Sequence, residues 1–374
     1  MDKITIASVA KSTECEIFLE SGLLDKTGEL LQNKLLNSST PPRFACISDS
    51  NVAPLYMQRL GISLQRYGFE YFPIIIPAGE EQKNYNNLQY IISQLLAQNF
   101  TRNDIIIALG GGMISDIAGF SAAIFLRGIR FITIATSLLA QIDASLGGKT
   151  GINNGTGKNL IGSFYSPLMI INDPEILHSL PPREFRAGYA EMIKYGLLND
   201  KNFFHFCANH LEEILTQGPI LAMAIAHCIR AKTAIIADDY FEKNKRALLN
   251  LGHSFGHAFE TASDYKLLHG EAVSVGLSLA FAFSAYLDFT TPDIAKKVQK
   301  HLQLAGLPTQ IKHLNLPKHT QAKQLLAIMR QDKKNTNANF TLILAKDIGQ
   351  SFIADDIAPT LLQGFLEKQL DKSA

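Results

Sequence analysis

The sequence predicts an α/β domain with a parallel sheet at residues 1–180 and an all-α domain at residues 181–374. Over the first 180 residues, short runs rich in Ile, Phe and Ala alternate with helical stretches. This alternation is typical of a parallel sheet whose two faces are covered by helices. From Pro181 onward, long helical patterns dominate and strand candidates become rare. A chain of 374 residues also exceeds one typical domain.

Four buried strands are predicted in the first domain, separated by helical segments such as 87–99. The strands are predicted at 43–48, 71–76, 104–109 and 130–135. In sheets of this kind, ligands bind beyond the carboxyl ends of the strands. Asp49, Glu80 and the glycines 110–112 follow three of these strands. We therefore expect a ligand site at this edge of a Rossmann-like sheet.

The second domain is predicted to be built from long helices, with one strand at 339–344. The helices are predicted at 187–198, 220–237, 248–263 and 271–287. The longest apolar run, 275–287, is too short to span a bilayer.

Composition indicates a globular protein with a large core, because 47% of the residues are hydrophobic and 18% are charged. The net charge of +1 gives no electrostatic reason to expect nucleic acid or a membrane surface as a partner. Four scattered cysteines have no CxxC spacing, so neither a disulfide framework nor a thiolate zinc site is predicted. They are Cys15, Cys46, Cys207 and Cys228. We find no N-terminal targeting pattern and expect a cytoplasmic protein.

The glycines 110–112 follow a predicted strand and precede a predicted helix at 117–125. Glycine lets the backbone approach a phosphate, and a helix N-terminus favours an anion. The dinucleotide fingerprint GxGxxG fails at its third glycine, which is Ser115, and no acidic residue ends the next strand. A dinucleotide pyrophosphate site and a tight turn without a ligand therefore both stay open.

Two lysines, Lys149 and Lys158, lie in glycine-rich polar surroundings and predict an anionic ligand. The segment 143–150 differs from the phosphate loop GxxxxGK[ST] at Asp143, where glycine is required. A P-loop NTPase would predict ATP turnover, and Asp143 argues against it. A solvated surface loop is the other alternative.

Histidines at His253, His257 and His269 point to a metal or anion site. His253 and His257 are four residues apart, so on a helix they share one face. Glu191 and Lys194 likewise share a face of an apolar helix. A carboxylate and two histidines with an open position form the ligand set of a catalytic zinc. The alternatives are satisfied core histidines and a surface ion pair of little energetic value.

Further polar residues surround these motifs, and alone they would indicate a solvated helical face. They are Lys232, Glu242, Arg246, Asn250 and the run 332–334.

Taken together, these residues resemble the 3-dehydroquinate synthase family of sugar-phosphate cyclases, from Asp49 to about Lys334. The matching motifs are Gly79-Glu80-x-x-Lys83, Gly110-Gly-Gly112-x-x-x-Asp116, Gln141-x-Asp143-x-x-x-Gly-Gly-Lys149-Thr150, Gly157-Lys158-Asn159, Ala190-Glu191-x-Ile-Lys194-Tyr-Gly, Leu249-Asn250-x-Gly-His253-x-x-Gly-His257 and His269-Gly-Glu271-Ala-Val. So many motifs in order make a chance match improbable.

The resemblance implies bound NAD and a divalent metal, zinc or cobalt, with the active site between an N-terminal nucleotide domain and a helical domain. The implied metal ligands are Glu191, His253 and His269. The implied NAD contacts are Asp49, Asn51, Glu80, Lys83, Gly112, Met113, Ile114, Ser115, Asp116, Thr136, Ser137, Lys149, Lys158, Ile176, Leu177, His178 and Ser179. The implied substrate contacts are Asp143, Lys149, Asn159, Lys194, Lys232, Arg246, Asn250, His257 and Lys333. The implied catalytic residues are Lys149, Lys194, Arg246, Asn250, His257 and Glu242. Arg127 would reach a phosphate pocket of the neighbouring subunit in a homodimer.

The implied reaction, a step of the shikimate pathway to aromatic amino acids, converts 3-deoxy-D-arabino-heptulosonate 7-phosphate to 3-dehydroquinate and phosphate. It proceeds by transient oxidation with NAD, phosphate elimination, re-reduction and an aldol closure. The chain departs from the family pattern at Asn153-Asn154, Ser137, Tyr240 and Asn244, and no departure removes a metal ligand. The alternatives are another sugar-phosphate cyclase, a metal-dependent polyol dehydrogenase and a binding protein without turnover. Dehydroquinate synthase is favoured because Lys232, Arg246 and Lys333 suit a substrate with both a phosphate and a carboxylate.

Overall fold

The computed structural model describes residues 14–35, 41–155, 157–239, 245–317, 320–330 and 339–371. The chain divides into two compact units. The first comprises Met1–Ala135 with Gly148–Asp173, and the second Thr136–Gly147 with Pro174–Ala374. The segment Thr136–Gly147 packs with the second unit, where its Asp143 forms ion pairs. The domain limits at 180 and 181 stay a prediction.

The first unit contains a six-stranded sheet in the order β1-β8-β5-β4-β2-β3, in which every neighbouring pair is parallel. Its strands are β1 (Glu16–Leu19), β2 (Phe44–Asp49), β3 (Tyr71–Ile76), β4 (Ile105–Gly110), β5 (Arg130–Ala135) and β8 (Met169–Asn172). The four predicted strands and the parallel Rossmann-like sheet are confirmed. The strands β1 and β8 were not predicted, because four residues are too few for a periodic signal.

Four helices belong to this unit; the last three contact strands of the sheet, and the first packs against the second. They are α1 (Thr27–Leu35), α2 (Ala53–Arg66), α3 (Tyr85–Ala97) and α4 (Gly112–Ile124). The side chain of Asn84 caps α3 by accepting a hydrogen bond from the Asn87 N–H at 3.0 Å. Helix α4 begins at Gly112, five residues earlier than predicted, so the glycines form the turn from β4 into the helix. A Cβ at Gly110 would lie 2.6 Å from the Cβ of Ile114, so only glycine fits there.

The segment after Gly148 forms an antiparallel hairpin of β6 (Lys149–Asn154) and β7 (Gly157–Phe164). Thr150 and Ile152 are buried, and the hairpin packs against α4. The interpretation of a solvated surface loop is therefore wrong for this segment. The P-loop alternative also fails, because Lys149 begins a strand and not the helix that the phosphate loop requires.

The second unit is mainly helical and contains one two-stranded antiparallel hairpin. The helices are α5 (Pro182–Asn199), α6 (Lys201–Asn209), α7 (Leu211–Leu215), α8 (Ile220–Asp238), α9 (His253–Ala262), α10 (His269–Tyr286), α11 (Pro292–Leu304), α12 (Ala322–Arg330) and α13 (Pro359–Asp371). The hairpin joins β9 (Phe340–Asp347) to β10 (Gln350–Ile357), so the predicted strand at 339–344 is confirmed and extended by a partner.

The helix predicted at 248–263 begins only at His253. Residues Lys245–Asn250 form a 3₁₀ turn, and Gly252 has a left-handed backbone with φ of 79°. Glycine adopts this conformation without the steric cost that a Cβ imposes. The correction matters because it places His253 at the first turn of α9.

In the part of the chain that the structure describes, α8 is long and apolar enough to cross a membrane by length and composition alone. It buries Leu221, Ile225 and Cys228, and its Lys232 forms an ion pair within the second unit. A single helix of this kind is weak support for a membrane span, because the core helix of a soluble protein meets the same criterion of length and composition.

Candidate metal and substrate site

Three helices of the second unit bring the predicted metal ligands together. Glu191 lies in the middle of α5, His253 is the first residue of α9, and His269 is the first residue of α10. The Nε2 atom of His253 lies 3.3 Å from Oε1 of Glu191, and that of His269 lies 3.2 Å from the same oxygen. The ligand atoms of the three residues all lie within 4.8 Å of one another. One carboxylate and two imidazoles therefore converge on one point.

Glycines allow the helix backbones to approach closely enough for this convergence. A Cβ at Gly270 would overlap the carbonyl oxygen of Ala187 on α5, and a Cβ at Gly276 would overlap the carbonyl oxygen of Gly252. Helix α10 thus packs against the backbone of both neighbours. This contact explains why glycine follows His269 in the sequence: a side chain at position 270 would collide with the backbone of α5.

We expect Gly270→Ala to destabilise the protein by about 1–3 kcal/mol, because the added methyl group forces α10 away from α5. It should also weaken metal binding, since His269 moves with the helix. Denaturant unfolding and a metal titration measure the two effects. Gly364→Ala is the control, because a Cβ there meets open space. A Gly270→Ala variant that is as stable as the wild type would contradict the close packing of α10 on α5.

Each imidazole is held through Nδ1, which leaves Nε2 directed at Glu191. Nδ1 of His253 lies 3.1 Å from the carbonyl oxygen of Leu251, and Nδ1 of His269 lies 3.2 Å from Oε2 of Glu260. Both partners are acceptors, so each Nδ1 carries a proton, and Nε2 is the nitrogen left to bind a metal. This is the tautomer that a metal-binding histidine needs.

The carboxylate of Glu191 is fully buried, and neither of its oxygens has a hydrogen bond of good geometry among the described residues. An ionised carboxylate in such a place is costly unless a cation compensates it. Burial raises the pKa of Glu191, but Lys194 and His253 outweigh burial and hold it well below its usual range. Lys194 compensates Oε2, and a divalent cation on the Nε2 side would compensate Oε1, so the residues present fit a metal ion.

The two histidines differ in their charge preference. Burial lowers the pKa of His253, so its imidazole is neutral at neutral pH, as a ligand must be. Burial also opposes the charged form of His269, but Glu260 and Glu191 outweigh it and raise its pKa to about 10. A bound metal therefore has to displace a proton from His269.

A second cluster of buried charges adjoins the ligand set. The Nζ atom of Lys194 lies 2.5 Å from Oε2 of Glu191 and 3.3 Å from Oδ2 of Asp143. The Nζ atom of Lys232 pairs with Oδ1 of Asp143 and donates to its main-chain oxygen at 2.6 Å. Lys194 and Lys232 are 1% and 6% exposed, so the interpretations of a surface ion pair and a solvated helical face are wrong for them.

The pKa shifts in this cluster follow from burial and from the shared carboxylate. Burial raises the pKa of Asp143, but Lys232 and Lys194 outweigh it and lower the value to about 2. Burial lowers the pKa of Lys194, but Glu191 and Asp143 outweigh it and raise the value. For Lys232, burial dominates and lowers the pKa. Asp143 is therefore an anion and Lys194 a cation at neutral pH.

Other predicted substrate residues lie in the same unit. Arg246 is 1% exposed, which also excludes a solvated face for it, and its N–H donates to Oδ2 of Asp239 at 3.1 Å. Asn250 donates to the carbonyl oxygen of Ala247 at 3.1 Å. The exposed His257 follows His253 by one turn of α9, with ring centroids 5.4 Å apart.

Several predicted cofactor residues form one polar network in the first unit. The Nζ atom of buried Lys83 lies 2.9 Å from Oδ2 of Asp116 and 3.1 Å from Oε1 of Glu80. Asn153 donates to Oε1 of Glu80 at 2.8 Å and accepts from the N–H of Asn159 at 2.9 Å. Burial lowers the pKa of Lys83, but Asp116 and Glu80 outweigh it and raise the value. The network fixes the side chains at the N-terminus of α4.

The remaining predicted residues of the first unit lie at strand ends or in exposed positions. Oδ1 of Asp49 accepts hydrogen bonds from the N–H groups of Asn51 and Val52, which fixes the turn after β2. Gly112, Met113, Ile114 and Ser115 form the first turn of α4. Lys149 begins β6, and Lys158 lies in β7. Arg127 is exposed with φ of 65°.

The other predicted cofactor residues belong to the second unit. Thr136 is buried directly after β5, and Oγ of Ser137 accepts a hydrogen bond from the N–H of Ala140 at 3.2 Å. Ile176, Leu177, His178 and Ser179 lie in a 3₁₀ turn at Pro174–Ser179. Glu242 and Lys333, together with Tyr240 and Asn244, lie outside the described residues.

Glu260 belongs to the site and was not predicted. It lies on α9, seven residues after His253, and the residue is buried. Seven residues correspond to two helical turns, so the spacing places it on the face of His253. This spacing is the signal that could have identified it.

Comparison with known proteins identifies the family of the chain. Residues 73–187 match the model of the 3-dehydroquinate synthase N-terminal domain, and residues 188–335 match that of the C-terminal domain. A 3-dehydroquinate synthase of Bartonella tribocorum is 47% identical over 333 residues, which cover 88% of each chain.

Two solved structures share the fold. A 2-epi-5-epi-valiolone synthase of Streptomyces hygroscopicus, with NAD⁺ and Zn²⁺ bound, has a TM-score of 0.87 at 24% identity, covering 98% of this chain and 100% of its own. A 2-deoxy-scyllo-inosose synthase complexed with carbaglucose-6-phosphate, NAD⁺ and Co²⁺ has a TM-score of 0.84 at 24% identity, covering 94% of this chain and 96% of its own. The family models cover most of the chain, and a named relative is 47% identical over 88% of it, so the chain belongs to the 3-dehydroquinate synthase family.

Proposed function

We propose that the chain is a 3-dehydroquinate synthase that converts 3-deoxy-D-arabino-heptulosonate 7-phosphate to 3-dehydroquinate and phosphate. The observation that carries this proposal is the convergence of Glu191, His253 and His269 beside the buried cluster of Lys194, Asp143 and Lys232. A ligand set with an open side, next to buried cations, suits an anionic substrate with a hydroxyl group to be activated.

In this proposal Glu191, His253 and His269 hold a divalent metal, zinc or cobalt. When bound, the metal supplies a Lewis acid and NAD supplies a reversible hydride acceptor. The approach of both Nε2 atoms to one buried carboxylate oxygen of Glu191 supports this assignment. Lys194 keeps the ligand carboxylate ionised through its contact of 2.5 Å.

The buried cations of the second unit would bind the charged groups of the substrate. Lys194, Lys232 and Arg246 are 1–6% exposed, and positive charge in such a place acts through a low dielectric. Asp143 fixes the positions of both lysine ammonium groups and can accept a hydrogen bond from a substrate hydroxyl. His257, Asn250 and the lysines Lys149 and Lys333 would position the substrate phosphate.

NAD would bind along the edge of the first unit's sheet where Asp49, the network of Lys83 with Asp116, and the start of α4 lie. Parallel sheets bind ligands at this edge, and a glycine-rich helix start favours a pyrophosphate. The family resemblance also assigns Thr136, Ser137 and residues 176–179 to the cofactor. A homodimer with Arg127 at the subunit contact, and a cytoplasmic location, belong to the same proposal.

Substrate preference distinguishes this function from the related cyclases. We expect phosphate release from 3-deoxy-D-arabino-heptulosonate 7-phosphate, with much lower rates on sedoheptulose 7-phosphate and glucose 6-phosphate. The metal-loaded enzyme with NAD is assayed on each substrate alone and in competition. A clear preference for sedoheptulose 7-phosphate or glucose 6-phosphate would assign the chain to a related cyclase. Accumulation of NADH would indicate a dehydrogenase.

A further inference from the structure

We propose that Glu260 is a positioning residue that holds the imidazole of His269 in the metal-binding orientation and thereby sets the metal affinity of the site. The inference rests on the proposed metal site and names the residue that organises it. Glu260 lies outside the set of three ligands, and it acts through His269.

The contact between the two side chains is direct and buried. Oε2 of Glu260 lies 3.2 Å from Nδ1 of His269, and the Glu260 side chain is 4% exposed. On the other side of the same ring, Nε2 lies 3.2 Å from Oε1 of Glu191. The imidazole is thus held between two carboxylates, one of which is the proposed ligand.

The geometry assigns different roles to these two carboxylates. Glu191 shares its oxygen with the Nε2 atoms of both His253 and His269, so it faces the metal position. Glu260 contacts the Nδ1 side of His269, which faces away from that position. A carboxylate on the distal nitrogen fixes the ring tautomer and makes the ligating nitrogen more basic.

The two ligand histidines are held by different kinds of partner. Nδ1 of His253 lies 3.1 Å from a main-chain oxygen, that of Leu251, which no side-chain substitution removes. His269 depends on a side chain instead. A single substitution, at Glu260, can therefore release the imidazole of His269, whereas no side-chain substitution removes the partner of His253.

Glu260 also lies close to His257, one of the proposed substrate contacts. The ligand atoms of His257, Glu260 and His269 lie within 4.8 Å of one another. The ring centroids of His257 and His269 are 5.9 Å apart. A change at Glu260 therefore acts at the junction of the proposed metal ligands and the proposed phosphate-binding histidine.

The test is metal affinity, measured on purified chains by competition with a chromophoric chelator. We expect Glu260→Ala to weaken zinc and cobalt binding by about 10- to 100-fold, which is the usual range when an outer carboxylate is lost. Glu260→Gln keeps a hydrogen-bond acceptor but loses the charge, so its affinity should lie between those of the wild type and Glu260→Ala. The visible spectrum of bound cobalt should shift in Glu260→Ala, because the ring is no longer fixed.

Glu271→Gln is the matched control. It makes the same chemical change as Glu260→Gln two residues from His269, where the Glu271 carboxylate pairs with Arg183 at 2.7 Å. Glu271 also caps α10 by accepting from the Leu268 N–H at 3.3 Å, and the glutamine keeps an acceptor for that N–H. It should keep the wild-type metal affinity and cobalt spectrum. Circular dichroism and thermal unfolding of the metal-free variants test whether each chain folds.

Wild-type affinity and an unchanged cobalt spectrum in a folded Glu260→Ala variant would overturn the inference. The same result in Glu271→Gln as in Glu260→Ala would also overturn it, because the effect would then not be specific to the imidazole contact. Failure of the wild-type enzyme to form 3-dehydroquinate would overturn the proposed function instead. It would leave the metal-affinity result intact, so the two failures are distinguishable.

Discussion

Glu191→Gln should abolish tight metal binding and lower the turnover of 3-deoxy-D-arabino-heptulosonate 7-phosphate by at least about a thousandfold, or about 4 kcal/mol in the activation barrier. The amide has the shape of the carboxylate but lacks the charge that a divalent cation requires. Both Nε2 atoms of the ligand histidines lie within 3.3 Å of one oxygen of Glu191, so this side chain is the common point of the site.

Metal content by elemental analysis and phosphate release by a coupled assay measure these effects. Glu184→Gln is the matched control, because it makes the same change on α5 at an exposed position in the first turn. A Glu191→Gln chain that retains metal with wild-type affinity, or that turns over at a comparable rate, would contradict the ligand assignment.

Asp143→Ala should destabilise the protein by about 3–5 kcal/mol, because it leaves two buried lysines without their shared carboxylate. Lys232 is 6% exposed and Lys194 is 1% exposed, so water cannot readily replace the lost anion. The same change should impair substrate binding, because the ammonium groups lose the group that positions them. Denaturant unfolding and a KM measurement report the two effects.

The double variant Asp143→Ala with Lys232→Met should recover part of the stability that Asp143→Ala loses. The second substitution removes the buried ammonium group that the first one leaves without a carboxylate. No recovery would contradict the coupling of the two side chains.

The loss of folding stability at acid pH tests the ionised state of Asp143 independently. Its pKa falls from 3.8 to about 2 on folding, so the ionised form is favoured in the folded state. The resulting stabilisation is present above pH 3.8 and is lost as the pH falls through about 2. The wild type should therefore lose stability more steeply over this range than Asp143→Asn. Parallel acid-unfolding curves for the two would contradict the shift.

The central strands could be predicted from the sequence because they are buried on both faces. The strands β2, β4 and β5 are mostly apolar and almost wholly buried, and each ends at a polar or glycine-rich turn. The short strand β8 could not be predicted, since its pairing with β1 and β5 is set by tertiary contacts. The hairpin of β6 and β7 was hidden by glycine and polar residues that ordinarily indicate loops.

The family resemblance singled out Glu191, His253 and His269 as metal ligands, whereas the four-residue spacing of His253 and His257 alone is also compatible with core histidines. The contacts around these residues could not be predicted from the sequence. Lys232 reaches the main-chain oxygen of Asp143, a residue 89 positions away in the chain, and only the fold reveals that contact. Glu260 lies on an amphipathic helix, where a glutamate is ordinarily exposed. The true start of α9 depends on the backbone of Gly252, which the helical periodicity of the surrounding residues conceals.

The measurement that tests the central claim most directly is the identity of the product formed when the substrate is in large molar excess over NAD. Chelator-treated protein, before and after zinc is restored, is incubated with 3-deoxy-D-arabino-heptulosonate 7-phosphate and followed by NMR. We predict complete conversion to 3-dehydroquinate and phosphate only with zinc, with NAD unchanged at the end. Conversion that stops at one equivalent of NAD, or that proceeds equally in the chelated protein, would contradict a metal-dependent dehydroquinate synthase.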